Sequence, residues 1–192
     1  MEDRKTKLVM AAAELLSQHG EAGFNLREVA NAVGIKLASL QYHFPTKADL
    51  VGAVLKHILD AYVQDIDSQL AAADPDPKEQ LKVTLRALSR IDDLAEEEAR
   101  LEIHLWSMAL NDRQVSDAMK VSHRYYLDRL TALIEAANAG LDPMEARQRA
   151  VMIASVQEGS MLFMDEGTAG LPHRDIRERV FQTTLKIAFA AT

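Results

Sequence analysis

The chain has 192 residues, 48% of them hydrophobic, a formal net charge of −7 and no cysteine. That length and apolar content suffice for one or two folded domains with a real core, which excludes a disordered chain. The missing cysteine excludes a disulfide framework, a thiolate metal site and a cysteine nucleophile. Aromatic residues make up only 5%, while Ala, Leu, Glu, Gln, Arg and Met dominate, a mix that favours helix over strand. No charged-then-apolar leader opens the chain and no long uncharged apolar run follows. A soluble, cytoplasmic protein with no membrane partner is therefore expected.

The first helix is expected from about Arg4 to Gln18, with Leu8, Ala12, Leu15 and Leu16 as its apolar stripe and Gly20 as its stop. Arg4, Lys5 and Lys7 at its start are either phosphate contacts or an ordinary solvated terminus. The stretch from Asn25 to Lys47 follows, NLREVANAVGIKLASLQYHFPTK. Asn25 is a ready N-cap, and Leu26, Val29, Ala30 and Val33 then share one face at helical spacing. Gly34 sits where that helix should end, and a sharp turn there needs the positive φ that glycine adopts without strain. A second short helix, about Leu37 to Phe44, ends before Pro45. Two short helices around a glycine corner make a helix-turn-helix, whose second helix enters the DNA major groove.

That second helix concentrates polar and basic groups. Ile35, Leu40 and Phe44 can anchor it, leaving Lys36, Ser39, Gln41 and His43 to point outward, with Tyr42 and Lys47 beside them. Amide, hydroxyl and imidazole groups suit base edges and phosphate oxygens, and lysine supplies point charge for phosphate. The competing possibility is a helical hairpin within an all-α core whose polar residues are merely solvated.

The run from Lys7 to Leu55 resembles the N-terminal DNA-binding domain of the TetR family of transcriptional regulators. The matching pieces are AAAELLSQHG, FNLREVA, AVGI and LQYHFPTKADL. The resemblance implies that Tyr42, His43 and Lys47 touch the DNA backbone and that Ser39 and Gln41 face the groove. Arg27, Lys36, Leu37 and Ala38 complete the candidate DNA-binding set. Gln41 departs from the tyrosine common in the family, and Leu37-Ala38 departs from a frequent polar-Gly pair.

Charge is unevenly divided. Residues 1–60 hold seven Lys/Arg and seven Asp/Glu, leaving fifteen and twenty-two for the rest, so the excess of seven acids belongs to the second part. A locally positive surface at the recognition helix can still bind phosphate, with salt-dependent affinity.

Thr46, with Asp49 three residues on, can open a long helix reaching about Ala73; at ~1.5 Å per residue it spans roughly 40 Å. The run from Ala73 to Pro77 breaks it. Helices are then expected around Leu81–Ile91, from Ala95 to Leu110 with Leu101, Leu105, Met108 and Ala109 inward, and from Asn111-Asp112 to about Asn138. Asp142-Pro143 with Glu145 opens a helix to about Glu166. After a loop with Gly167 and Gly170, a last helix is expected from about His173 to Phe189. The total is roughly nine helices with short loops and no strand alternation, an all-α fold. Its expected division is a helix-turn-helix DNA-binding domain, residues 1–50, joined by the long helix to a helical effector-binding and dimerisation domain, residues 51–192.

The last two long helices are candidates for a dimer interface, through Ala150, Ile153, Ala154, Gly159, Ile176, Val180 and Thr184. Around the first of them, Ala150, Ile153, Ala154, Gln157 and Met161 alternate with Val151, Ala154, Glu158 and Leu162, and Gly159-Ser160 offers a smooth surface for close approach. The alternative is that both helices complete one subunit's core. The family resemblance implies a homodimer held by these two helices from each subunit. For a small-molecule effector, the candidates are His104, Trp106, Met108, His123, Tyr126, Gln157 and Met161. Met119, Met152, Phe163 and Met164 are further large, adaptable residues of the same region. Plain core is the competing possibility, and the resemblance implies an inducer site. The cluster Asp92, Asp93, Glu96, Glu97, Glu98 and Glu102 reads as a solvated helix start or as a surface for a cationic ligand.

No G-x-S-x-G, P-loop, H-E-x-x-H or G-x-G-x-x-G occurs, and no histidine pair has zinc spacing. No cofactor and no catalysis are expected. The expected function is a ligand-responsive repressor that binds a palindromic DNA operator as a homodimer; the alternatives are a helical protein-interaction adaptor or a small all-α enzyme.

Overall fold

The structure is a computed structural model and describes residues 4–89, 96–163 and 170–190. Nine helices occur among the described residues, and no strand. They are α1 (Arg4–Gly23), α2 (Leu26–Val33), α3 (Leu37–His43), α4 (Lys47–Ala72), α5 (Pro77–Ser89), α6 (Glu96–Asn111), α7 (Arg113–Ala137), α8 (Pro143–Met161) and α9 (His173–Ala188). The expected loop around Gly167, together with Met164, Asp92, Asp93 and the side chains of Glu96, Glu97 and Glu98, lies outside what is described.

The helix starts are set by short polar side chains. Asp76, Asp112 and Asp142 each accept the backbone N–H groups two and three residues ahead, at the heads of α5, α7 and α8. Thr46 and Asp49 form a reciprocal box at α4: the Asp49 N–H donates to Thr46 Oγ1 at 3.1 Å, and the Thr46 N–H donates to Asp49 Oδ2 at 2.9 Å. Two ends differ from expectation. α1 resumes for one turn beyond Gly20, which itself leaves the helix at φ 60°, ψ −166°. α8 stops at Met161 rather than near Glu166, because the Leu162 and Phe163 N–H groups turn back to the carbonyls of Gly159 and Ser160.

The chain gathers into two compact units. The first takes the described residues of Met1–Ala61 and Ala95–Ser122, and the second those of Tyr62–Leu94 and His123–Thr192. The core of the first unit joins Leu8, Ala12 and Leu16 of α1 to Val29, Leu40, Phe44, Leu50 and Val54, and closes against Leu101, Leu105 and Met108 of α6 and Val115 of α7. The helix-turn-helix therefore shares its core with α6. Burying a side chain of this kind stabilises by about 1.5–3 kcal/mol, so α6 is an integral wall of the unit.

The second unit buries Leu81 and Leu85 of α5, Leu130 and Ile134 of α7, Ala146, Ala150 and Ile153 of α8, and Phe181 of α9. The last turn of α9 is fastened by side chains from its neighbours. The Ala188 carbonyl accepts from Arg149 Nη1 and from Asn138 Nδ2, both at 3.2 Å. Arg149 is itself buried and donates Nε to Glu145 Oε1 at 2.8 Å. A last-turn carbonyl has no partner inside its helix, so these two donors satisfy it and tie α9 to α7 and α8.

Candidate nucleic-acid interface

The corner between α2 and α3 is built from backbone hydrogen bonds. Asn25, extended at φ −149°, accepts the N–H groups of Arg27 and Glu28 on its side-chain oxygen at 3.0 and 3.1 Å. At the other end the Ile35 N–H donates to the Ala30 carbonyl at 2.9 Å and the Gly34 N–H donates to the Asn31 carbonyl at 3.0 Å. This is the paired 6→1 and 5→2 closure that a left-handed residue permits, and Gly34 lies there at φ 71°, ψ 34°. Ile35 follows it back onto the core beside Ala30, which sets the direction in which α3 leaves.

α3 is only seven residues long and rests on two buried anchors, Leu40 and Phe44. With those inward, Lys36, Ala38, Ser39, Gln41 and Tyr42 are exposed, and Leu37, His43 and Lys47 are half-buried. Tyr42 is 85% exposed. Its ring meets that of His43 edge-on, with centroids 5.4 Å apart. A large aromatic residue so exposed contributes little to this core. Ala38 and Ser39 on the same face are small, which leaves the backbone of α3 open to close approach. Arg27 is exposed on the first turn of α2.

Two lysines border this face. Lys5 of α1 lies over the Phe44 ring, 5.6 Å from its centroid. Lys47, at the start of α4, lies 5.4 Å from the Phe24 ring centroid and 3.6 Å from Glu21 Oε1. The Phe24 and Glu21 partners were not legible in the sequence: both sit in the short segment after the Gly20 break, more than twenty residues before the lysine they hold.

The residues proposed from sequence for an effector fall in two places. His104, Trp106 and Met108 belong to the first unit, where Met108 is buried in the core, the His104 ring packs beside Gly20, and Trp106 is exposed. His123, Tyr126, Gln157 and Met161 belong to the second. There the Tyr126 hydroxyl donates to Gln157 Oε1 at 2.8 Å, and His123 Nε2 lies 3.6 Å from Glu158 Oε1. Burial lowers the His123 pKa below its ordinary value, because desolvation disfavours the imidazolium. Gln157 Nε2 is buried with no hydrogen-bond partner.

Of the residues proposed for a dimer interface, Ala150, Ile153, Ala154, Val180 and Thr184 are buried within the second unit, Ile176 is half-buried and Gly159 is exposed. The face of α8 that remains outside carries Met144, Gln148, Val151, Met152, Ser155 and Gly159, with Leu162 just past its end. α8 is thus apolar on both sides. Helical spacing identifies both stripes but does not say which one the subunit buries.

Comparison with known proteins places this geometry. Residues 8–54 match the family described as "Bacterial regulatory proteins, tetR family". An uncharacterised HTH-type transcriptional regulator from the dhlA 5′ region of Xanthobacter autotrophicus is 28% identical over 159 residues, covering 80% of this chain and 73% of that protein. Among solved structures, a TetR transcription regulator from Haloarcula marismortui superposes with a TM-score of 0.79 at 21% identity, covering 99% of this chain and 98% of that one. A transcriptional regulator from Saccharomonospora viridis, solved in complex with choline, superposes with a TM-score of 0.77 at 16% identity, covering 95% of each chain. At such identities the superpositions establish the shared fold. The matched relatives are regulators of transcription and not enzymes.

Proposed function

We infer that this chain, which belongs to the TetR family of transcriptional regulators, is a ligand-responsive repressor that binds a palindromic operator as a homodimer in the cytoplasm. The observation that carries this is the outer face of α3: a corner fastened by backbone hydrogen bonds presents Ser39, Gln41 and Tyr42 to solvent with lysines on either side. On this assignment Gln41 and Ser39 read base edges, and Tyr42, His43, Lys36, Lys47 and Arg27 hold phosphates. Leu37 and Ala38 let the helix approach the groove. Residues 1–50 then act as the DNA-binding part and residues 51–192 as the effector-binding and dimerising part.

One α3 covers only a few base pairs, so specificity and affinity call for a second copy. The apolar outer stripe of α8, Met144, Val151, Met152, Gly159 and Leu162, is the surface we assign to it. A two-fold dimer would set its two recognition helices on half-sites ~34–36 Å apart. Support for an effector comes from the second unit, where the buried Gln157 amide nitrogen lacks an acceptor while its oxygen accepts from Tyr126. A molecule bringing an oxygen or nitrogen acceptor would complete it. A coupling of ~1–3 kcal/mol between that site and the DNA-bound state would lower operator affinity about 5–150-fold. Among the described residues no helix is long and apolar enough to cross a membrane.

Selection from random duplex DNA tests the whole assignment. An inverted-repeat consensus, bound by two copies in sedimentation and weakened by salt, is the expected result. A chain that sediments as a single copy and ignores every duplex at low salt would refute it.

A further inference from the structure

The first turn of a helix is an unfavourable place for a cation, because its free N–H groups already carry partial positive charge. Lys47 opens α4 at that position. Two groups hold it. Its ammonium lies 3.6 Å from Glu21 Oε1 and 5.4 Å from the centroid of the Phe24 ring. Phe24 is buried and forms a fixed platform, whereas the Lys47 and Glu21 side chains are 34% and 44% exposed.

Glu21 reaches this place because α1 breaks one residue earlier. Gly20 turns the chain at positive φ, and the His104 ring of α6 fills the space beside it: a Cβ at position 20 would lie 2.8 Å from His104 Cε1. The break at Gly20 is therefore held by packing, and Glu21 follows it directly. Carboxylate and phosphate offer an ammonium the same thing, an anionic oxygen to pair with, and at 3.6 Å the Lys47–Glu21 contact is an ion pair without a hydrogen bond.

We propose that Glu21 is a built-in stand-in for a DNA phosphate, a positioning residue that occupies the Lys47 ammonium while no duplex is bound and yields it when one arrives. It thereby lowers affinity for every duplex alike, since the group it holds reads no base. This rests on the assignment of Lys47 as a phosphate contact. Phe24 keeps the lysine in place in both states. The pair is partly exposed, so the effect belongs in the range of surface ion pairs, about two- to five-fold in affinity.

The test is fluorescence anisotropy of the full chain with a random-sequence duplex at about 50 and 150 mM salt. The proteins are the unaltered chain, Glu21→Gln, Lys47→Ala and the double variant. Lys47→Ala is expected to weaken binding. Glu21→Gln is expected to tighten it about two- to five-fold, more at the lower salt because screening is weaker there. In the double variant the gain should vanish. An equal gain with and without Lys47 overturns the proposal, since Glu21 would then merely repel phosphates. So does weaker or unchanged binding by Glu21→Gln, which would make the carboxylate a simple brace. Lys47→Ala without effect refutes the phosphate-contact assignment itself and the proposal with it, and that single variant identifies which of the two has failed.

Discussion

The two compact units solve opposite problems with the same kind of helix. The first holds a seven-residue helix by two buried anchors, and turns a polar face of it outward. The second is built from longer helices fastened by a buried arginine, and leaves an apolar stripe outside on α8. A small polar surface on a rigid corner is suited to a polar, charged partner that is already stiff. A contiguous apolar surface is suited to a partner that is itself apolar. On the function proposed above, the partner of each unit follows from the face it leaves open rather than from the face it buries.

The contrast breaks most readily at its fastening point. Arg149→Ala removes a buried donor to Ala188 and its packing, and should destabilise by about 3 kcal/mol. Hydrogen exchange should show α8 and α9 amides losing protection first, and an even loss across both units would contradict the division. Met152→Glu places a charge on the outer α8 stripe. If that stripe pairs with its copy, dissociation should rise by roughly a hundredfold, about 2.7 kcal/mol, with the thermal midpoint of the single subunit little changed. Sedimentation decides it.

Gly20→Ala strikes the first unit, where both the positive φ and the His104 ring oppose a Cβ. A loss of about 2 kcal/mol in a urea titration is expected. On the DNA-facing side, Gln41→Ala should relax base preference at one position by ~1–3 kcal/mol, whereas Lys47→Ala should weaken all sequences alike and reduce the salt slope by about 0.9. Equal losses on matched and scrambled duplexes would invalidate the division of labour.

The smallest effect concerns pH. Burial holds the folded-state pKa of His123 below 6.5, so the unfolded chain binds a proton first as pH falls. Stability is then full above about pH 6.5 and declines as pH drops through the folded value. His123→Gln should flatten that acid limb of the melting curve.

Much of this was legible before any coordinates. Asn25, Gly34, Thr46 with Asp49, and Asp142 with Pro143 announce where helices begin and turn, because caps and left-handed corners are local chemistry acting over two to five residues. With Ile35, Leu40 and Phe44 as anchors, the same spacing turns Lys36, Ser39 and Gln41 outward as expected, whereas His43 is half-buried. Less legible was the division into packing units. Nothing near Leu101 or Met108 says that α6 closes the core of a motif lying more than fifty residues earlier.

Composition, caps and spacing determined a helical chain with a glycine corner between two short helices near its start, since these properties arise between neighbours in sequence. Only the tertiary structure decided which of the two apolar sides of α8 is inside, that Lys47 is held by Glu21 and Phe24, and that a histidine seats itself against Gly20. Each of those is a meeting between side chains far apart along the chain. Helical periodicity gives a side chain its face, but the opposing element alone decides whether that face is buried, paired or left open.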